Sequence, residues 1–348
     1  MFTIARHRPI LPPHILDQIA RNGSTKQRSW ALDTLKLDHA LRTKRLIAPR
    51  IRAMWATATP GVAARAIHDA QHRTHLPGKL ARAEGQPAVG DQAVDEAYEY
   101  LGATYDFFWK VYHRNSIDDA GMALSGTVHY DKDYDNAFWD GSQMVFGDGD
   151  GELFNRFTIA IDIVGHELAH GVTEHEANLD YQGQAGALNE SLSDVFGSMI
   201  KQHHAQQAAD KADWLIGHGL LTGNVKGKAL RSMSAPGTAY DDPVLGKDPQ
   251  PADMANYVNT MEDYGGVHIN SGIPNRAFYL LAMQLGGFAW EKAGLIWYET
   301  LVDKKLSRTA TFKAFANRTF LKAGSLFGAG STEQNAVKKA WTTVGVSF

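Results

Sequence analysis

Cysteine is absent from the 348 residues, which excludes disulfide staples, thiolate metal sites and a Cys nucleophile. Any metal must therefore be held by His and carboxylates. Long apolar runs are missing too, and no window approaches the ~18 residues that read as a membrane-spanning helix. The opening MFTIARHRPILPPHIL carries Arg6, Arg8, Pro9, Pro12 and Pro13 where a signal peptide needs its apolar stretch, so no Sec signal is read and no membrane is expected as a partner. Without Cys or such a signal, the expected form is a cytoplasmic precursor or a chain exported by a non-classical route. The 33 Gly and 12 Pro follow no fixed period, which excludes collagen. What is present is ordinary for a globular chain, with 44% hydrophobic and 21% charged residues and hence a sizeable core. At roughly 150 residues per domain, the length suggests two domains with sequence to spare.

The net charge of −3 hides an asymmetry: residues 1–50 carry 10 Lys and Arg against 3 Asp, or +7, and the remainder carries −10. The basic residues are interleaved with a helix-like apolar pattern (Ile15, Leu16, Ile19, then Leu32, Leu35, Leu41) and are not packed as a block. That favours docking of this segment onto the chain's own acidic body over binding to nucleic acid. Two short helices are expected around Gly23-Ser24, then a linker over 48–61 with Pro49, Pro60 and Gly61. Between 62 and 152 a helical run, Val94–Val111, precedes alternating segments at 126–130 and 142–146 that read as strands. Beyond Phe157, runs at 157–174, 188–205, 273–285, 288–303, 309–323 and 332–344 repeat apolar residues at three and four and read as helices.

The chemistry is carried by His166-Glu167-Leu168-Ala169-His170, inside the first of these helical runs. Residues i and i+4 share one helix face, so both imidazoles reach one ion while Glu167 projects beside it. A catalytic zinc takes three protein ligands and keeps a position open for water. Asn189-Glu190-Ser-Leu-Ser-Asp194 supplies the third donor, Glu190, on the next helix after a turn broken by Gly183 and Gly186. Asp194, four residues on, is placed to accept the other N–H of a ligand His, with Asn189 beside it as a further support. Glu167 is then the general base for adding water to an amide carbonyl.

With segments 134–151, 166–170, 181–194 and 263–272 in family order, the chain from about Ile67 onward resembles the thermolysin family of zinc metalloendopeptidases. LPPHILDQI at 11–19 is similar to the short prosegment of its protealysin-like branch. The resemblance implies an α+β, two-domain thermolysin-like fold: residues 1–50 a helical, inhibitory prosegment, 51–160 a β-rich domain and 161–348 an α-helical domain, with zinc in the cleft between them. It further implies His268 and Tyr181 as oxyanion donors, with Asp263 holding His268, and Arg231, Asn136, Ala137 and Trp139 as substrate contacts. Phe154, Phe157, Ile163, Ile216 and Leu230 would line the pocket for the residue after the scissile bond, although core packing explains apolar residues there equally well. The implied enzyme is an autoprocessed endopeptidase cutting before Leu, Phe, Ile or Val. Its implied partners are protein or peptide substrates, its own prosegment and a protein inhibitor; family habit implies secretion.

Calcium is expected to be absent or dispensable. Asp162 and Asp213 remain from the family's carboxylate cluster, but Lys201 stands where a bridging Glu is expected, and Leu215 and His218 replace two more acids. Arg82 to Glu84 and Lys228 mark the loss of other calcium positions, and neither 147–151 nor 131–136 fits the EF-hand template. Two rivals stay open: a zinc-holding binding or regulatory module kept shut by its prosegment, and an exopeptidase built on the same two-His helix.

Overall fold

The computed structural model describes residues 8–47 and 59–348. The linker read at 48–61 and the 50/51 boundary fall mostly outside them. The lead segment forms strand β1 (Arg8–Pro9) and helices α1 (Pro13–Asn22) and α2 (Thr25–Ile47), the helix pair expected around Gly23-Ser24. Pro13 opens α1 because its fixed φ suits a helix start and its missing N–H would have no partner there. One face of α1 buries Ile15, Leu16 and Ile19.

A six-stranded sheet follows, built from β1, β2 (Arg65–Arg73), β3 (Lys79–Ala83), β4 (Leu124–Tyr130), β5 (Ala137–Trp139) and β6 (Met144–Phe146) in the order β1-β5-β6-β4-β2-β3. Strand β4 runs parallel to both β2 and β6, and the other pairings are antiparallel. Helix α3 (Gln92–Tyr112), capped by the Asp91 carboxylate on the N–H groups of Ala93 and Val94, covers this sheet. The lead strand β1 takes the edge beside β5, a strand that the apolar pattern of residues 1–50 does not announce.

The rest is mainly helical: α4 (Ile161–His175), α5 (Gly183–His204), α6 (Asp263–Asn270), α7 (Gly272–Leu285), α8 (Ala293–Leu301), α9 (Phe312–Phe327) and α10 (Thr332–Thr343). The two-residue strands β7 (Leu215–Ile216) and β8 (Arg231–Ser232) pair antiparallel. Among the described residues no helix is long and apolar enough to cross a membrane.

Several boundaries differ from the apolar periodicity, among them α9, which starts three residues later and ends four later than the 309–323 run. Phe157–Ile159 is a separate 3-10 turn, because Ala160 is extended (φ −114°, ψ 114°) and divides it from α4. The 288–303 run shortens to α8, after the left-handed Gly286 and Gly287. Gly183 and Gly186 do not break a turn; they form the first turn of α5. A Cβ on Gly186 would lie 2.5 Å from Val267, so this glycine lets α6 approach α5 closely. The same logic rules the crossing of α4 and α5, where a Cβ on Gly197 would sit 2.4 Å from the Asp162 carbonyl oxygen. Gly197→Ala is expected to lower stability by about 1–3 kcal/mol through overpacking, read as a fall in melting temperature. Gly223→Ala, where a Cβ meets nothing within 4 Å, is expected to change it by less than about 0.5 kcal/mol.

Candidate active site

Helix α4 presents His166 and His170 one turn apart, their rings perpendicular with centroids 4.7 Å apart. Glu190 on α5 faces them: His166 Nε2 is 3.4 Å from its Oε2, and His170 Nε2 is 3.4 Å from its Oε1. One donor atom from each of the three residues lies within 4.8 Å of the others, so the trio is a candidate metal centre. His166 Nε2 and Glu190 Oε2 are buried and make no hydrogen bond. The opposite ring nitrogens are tied down, His166 Nδ1 to Asp194 Oδ1 at 2.8 Å and His170 Nδ1 to Asn189 Oδ1 at 2.8 Å. Those bonds place the protons on Nδ1 and turn both Nε2 lone pairs toward Glu190.

Asp194 carries more than one ligand histidine. Its carboxylate also accepts from Arg231 Nε and Nη2 and from Asn275 Nδ2, each at 2.8 Å. Burial alone would raise its pKa, but Arg231 and His166 outweigh that and hold it down at about 2.

Glu167 is fully buried beside the two histidines. Its Oε2 accepts the Trp139 N–H at 2.9 Å, while its Oε1 makes no hydrogen bond. Burial, only partly opposed by His166, raises its pKa to about 8. Across the site, His268 is aimed by Asp263, which accepts from its Nδ1 at 2.6 Å and from its backbone N–H at 2.8 Å. The Tyr181 hydroxyl lies 3.1 Å from His268 Nε2 and donates to Glu190 Oε1. Left-handed backbone at Tyr264, Gly265 and Gly266 bends the chain into α6 and delivers His268. A Cβ on Gly265 would come 3.1 Å from the Gly183 nitrogen, so the start of α6 needs a glycine there.

The lead segment occupies the sheet edge next to this cluster. Arg8 and Pro9 pair with Trp139 and Phe138. Ile10 N–H donates to the Ala137 carbonyl at 3.1 Å, Leu11 N–H to Asn136 Oδ1 at 2.9 Å, and Arg231 Nη1 donates to the Ile10 carbonyl at 3.3 Å. Asn136, Ala137 and Arg231, expected as substrate contacts, thus all grip backbone atoms of residues 10 and 11. Of the five expected pocket residues, all are buried; Ile163 and Leu230 meet over Gly217, and the Phe154 and Phe157 rings lie 6.1 Å apart.

The comparisons with known proteins agree with this geometry. The thermolysin metallopeptidase catalytic domain matches residues 57–174, and the thermolysin metallopeptidase alpha-helical domain matches residues 177–346. The chain belongs to the thermolysin family. It is accordingly a metalloendopeptidase with the thermolysin-like two-domain fold, a mixed-sheet unit followed by a helical one. It is 58% identical to an extracellular metalloprotease of Pectobacterium carotovorum subsp. carotovorum over 98% of each chain. It is 41% identical to a thermolysin of Alicyclobacillus acidocaldarius subsp. acidocaldarius over 80% of this chain and 50% of that one. Among solved structures it resembles the precursor of protealysin from Serratia proteamaculans, with 59% identity, a TM-score of 0.91 and coverage of 98% and 100%.

The thermolysin-family motifs do not point to several groups around the site. Ser193 Oγ lies 3.0 Å from His170 Nδ1, and Gln250 Nε2 donates to the His268 carbonyl at 2.8 Å. Ser193 follows Asn189 by four residues on α5, a spacing that could have marked it, whereas Gln250 and Asn275 stand at no such spacing. His14, on the lead segment, sits over the cleft with its Nε2 3.2 Å from the Tyr240 hydroxyl and its Nδ1 buried without a hydrogen bond. Burial is the main cause that lowers its pKa from 6.5 to about 4; Arg231 and His268 add to the effect and Asp263 opposes it. A His whose pKa is depressed by docking favours the docked state fully above its free value and progressively less as pH falls toward the docked value. Between pH 7 and 4.5, protection of the Ile10 and Leu11 amides from hydrogen exchange is therefore expected to fall about fiftyfold more in wild type than in His14→Gln. Equal pH dependence in the two proteins would remove His14 as the titrating group.

Proposed function

We propose that the chain is a latent zinc endopeptidase whose prosegment, residues 1–50, covers the cleft and is removed by its own cut or that of a sister molecule. In this reading 51–160 is the β-rich domain and 161–348 the α-helical domain. The observation that carries it is the grip of Ala137, Asn136 and Arg231 on the backbone of residues 10 and 11, beside Glu167. An extended peptide added to a sheet edge is how such clefts hold substrates, and the lead segment takes that place.

The donor set fits zinc: two imidazole Nε2 atoms and a carboxylate in a buried pocket, with Nδ1 protons fixed by Asp194 and Asn189. Held by His166, His170 and Glu190, zinc would supply Lewis acidity, making a water acidic and polarising the scissile carbonyl. Glu167 takes the proton of the attacking water on Oε1 and later delivers it to the leaving amine, while the Trp139 N–H holds its other oxygen in place. His268 Nε2 and the Tyr181 hydroxyl, 3.1 Å apart, stabilise the developing oxyanion, and Asp263 keeps His268 oriented. Arg231 anchors a substrate carbonyl with the Nη1 it gives to Ile10, and Asn136 and Ala137 bind the peptide backbone. The apolar group Phe154, Phe157, Ile163, Ile216 and Leu230 selects Leu, Phe, Ile or Val after the scissile bond, worth ~1.5–3 kcal/mol for each side chain buried. The names of its relatives support action outside the cell.

An internally quenched peptide with Leu or Phe after the scissile bond tests this when intact mass is followed in the same tube. Wild type is expected to cut faster as residues 1–50 are lost, and Glu167→Ala to stay intact and inert with its zinc retained. Loss of the segment by zinc-loaded wild type without any cleavage of the peptide would transfer the reading to a binding module.

We further propose that folding needs no calcium. Lys201 Nζ donates to Asp213 Oδ1 at 2.7 Å and to the Leu215 carbonyl at 2.6 Å, and pairs as an ion with Asp162, whose Oδ2 lies 2.9 Å away. Burial alone would lower the Lys201 pKa, but the two carboxylates raise it, and the ammonium stays charged. EGTA is expected to shift the melting temperature of the zinc-retaining protein by less than about two degrees. A larger fall with zinc still bound would overturn this.

A further inference from the structure

Outside the cleft, strands β2 and β4 pair in register from Arg65 and Leu124 to Asp69 and Val128, and resume at Arg73 and Tyr130. Four residues advance on one strand against two on the other. The excess is absorbed by left-handed backbone at Gln71 and His72 (φ 55° and 56°) on β2 and at His129 (φ 53°) on β4. Each such non-glycine residue is strained, and the group of three brings the two imidazoles together with ring centroids 5.5 Å apart.

The loop after β6 adds Asp148. His129 Nδ1 is 2.9 Å from both oxygens of that carboxylate, and His72 Nδ1 is 3.4 Å from Oδ2. One donor atom from each of the three residues lies within 4.8 Å of the others. On its far side, His129 Nε2 lies 3.1 Å from Asp91 Oδ2, while Asp91 Oδ1 caps α3. Asp148 thus faces two imidazoles at once, His129 and His72, the second held by left-handed backbone against the same carboxylate oxygen, and two imidazoles converging on one carboxylate are what a metal site requires.

We infer that His72, His129 and Asp148 form a second metal site, separate from His166, His170 and Glu190, which binds a divalent transition ion such as Zn2+, Ni2+ or Cu2+. Two imidazoles and one carboxylate suit these ions and not calcium or magnesium, which take oxygen ligands. The ligand atoms are His72 Nδ1, His129 Nδ1 and an Asp148 oxygen. The His129 Nε2–H continues to donate to Asp91, the outer carboxylate that orients a ligand histidine. The His72 side chain is 58% exposed, so the remaining coordination positions face solvent.

The test titrates Ni2+ calorimetrically into the full chain reconstituted with a single equivalent of zinc, with Cu2+ electron paramagnetic resonance as a direct view of the ligands. His72→Asn is the deciding variant because Asn tolerates left-handed backbone; His129→Gln is the second and His204→Ala the control. Expected is one further Ni2+ per chain in wild type and in His204→Ala, bound at least tenfold more weakly in the other two. The Cu2+ spectrum is expected to show two nitrogen ligands in wild type and one in His72→Asn. Absence of a further equivalent, or an affinity that His72→Asn leaves unchanged, would overturn the site.

Discussion

A single buried carboxylate joins the parts of this molecule that must act together. Asp194 sits on α5, yet it accepts hydrogen bonds from His166 on α4, Arg231 on β8 and Asn275 on α7. Four donors at 2.8 Å satisfy the negative charge so completely that its pKa stays near 2 despite full burial. Removing any one partner would leave part of a buried charge unmatched, which costs far more than the bond it makes. The tautomer of a candidate metal ligand and the orientation of Arg231, which grips the peptide in the cleft, are thus set by the same group.

Strand β5 plays the matching part on the other side of the cleft. Its Ala137 carbonyl receives the N–H of Ile10, and its Trp139 N–H holds Glu167. Three residues of backbone therefore fix both the line on which a peptide lies and the position of the base relative to it. The lead segment exploits this edge, and Pro9, which has no N–H to contribute, is tolerated because β1 is the outermost strand. Behind it, Ile10, Leu11, Ile15, Leu16 and Ile19 are buried, so the docking rests on apolar burial and backbone pairing, with the Lys26–Glu152 ion pair exposed at the rim.

What the sequence made legible follows from the range of each signal. The spacing of His166 and His170 is a local property of one helix, and it delivered the candidate metal centre with Glu190 and Asp194 one helix on. Periodicity likewise found α3, α7 and α10 to within two residues at each end. Asn275 and Gln250 come to the site from separate elements or as isolated positions, so no spacing marks them, whereas Ser193 stands four residues after Asn189 on α5 and meets the same His170 nitrogen. Gly183 and Gly186 misled for a related reason. A glycine signals a turn only when nothing outside the segment needs the space, and at Gly186 Val267 of α6 needs it, while Gly183 starts α5 with a left-handed φ of 52°. Strand β1, two residues long and containing proline, has no pattern of its own and exists only because β5 offers an edge.

The same reasoning explains the position of Lys201. Asp162 at the start of α4 accepts the Gly217 N–H through Oδ1 at 3.1 Å and pairs with Lys201 of α5 through Oδ2 at 2.9 Å. Gly217 directly follows β7, whose partner β8 carries Arg231. The ammonium therefore fastens the β7–β8 pair to the two helices that hold the candidate metal ligands. A bound cation could serve the same carboxylates, but its occupancy would depend on its concentration outside. A lysine is always present, at the cost of a fixed reach and a buried charge whose desolvation must be offset by good geometry. The three acceptors within 2.9 Å of its Nζ are that geometry.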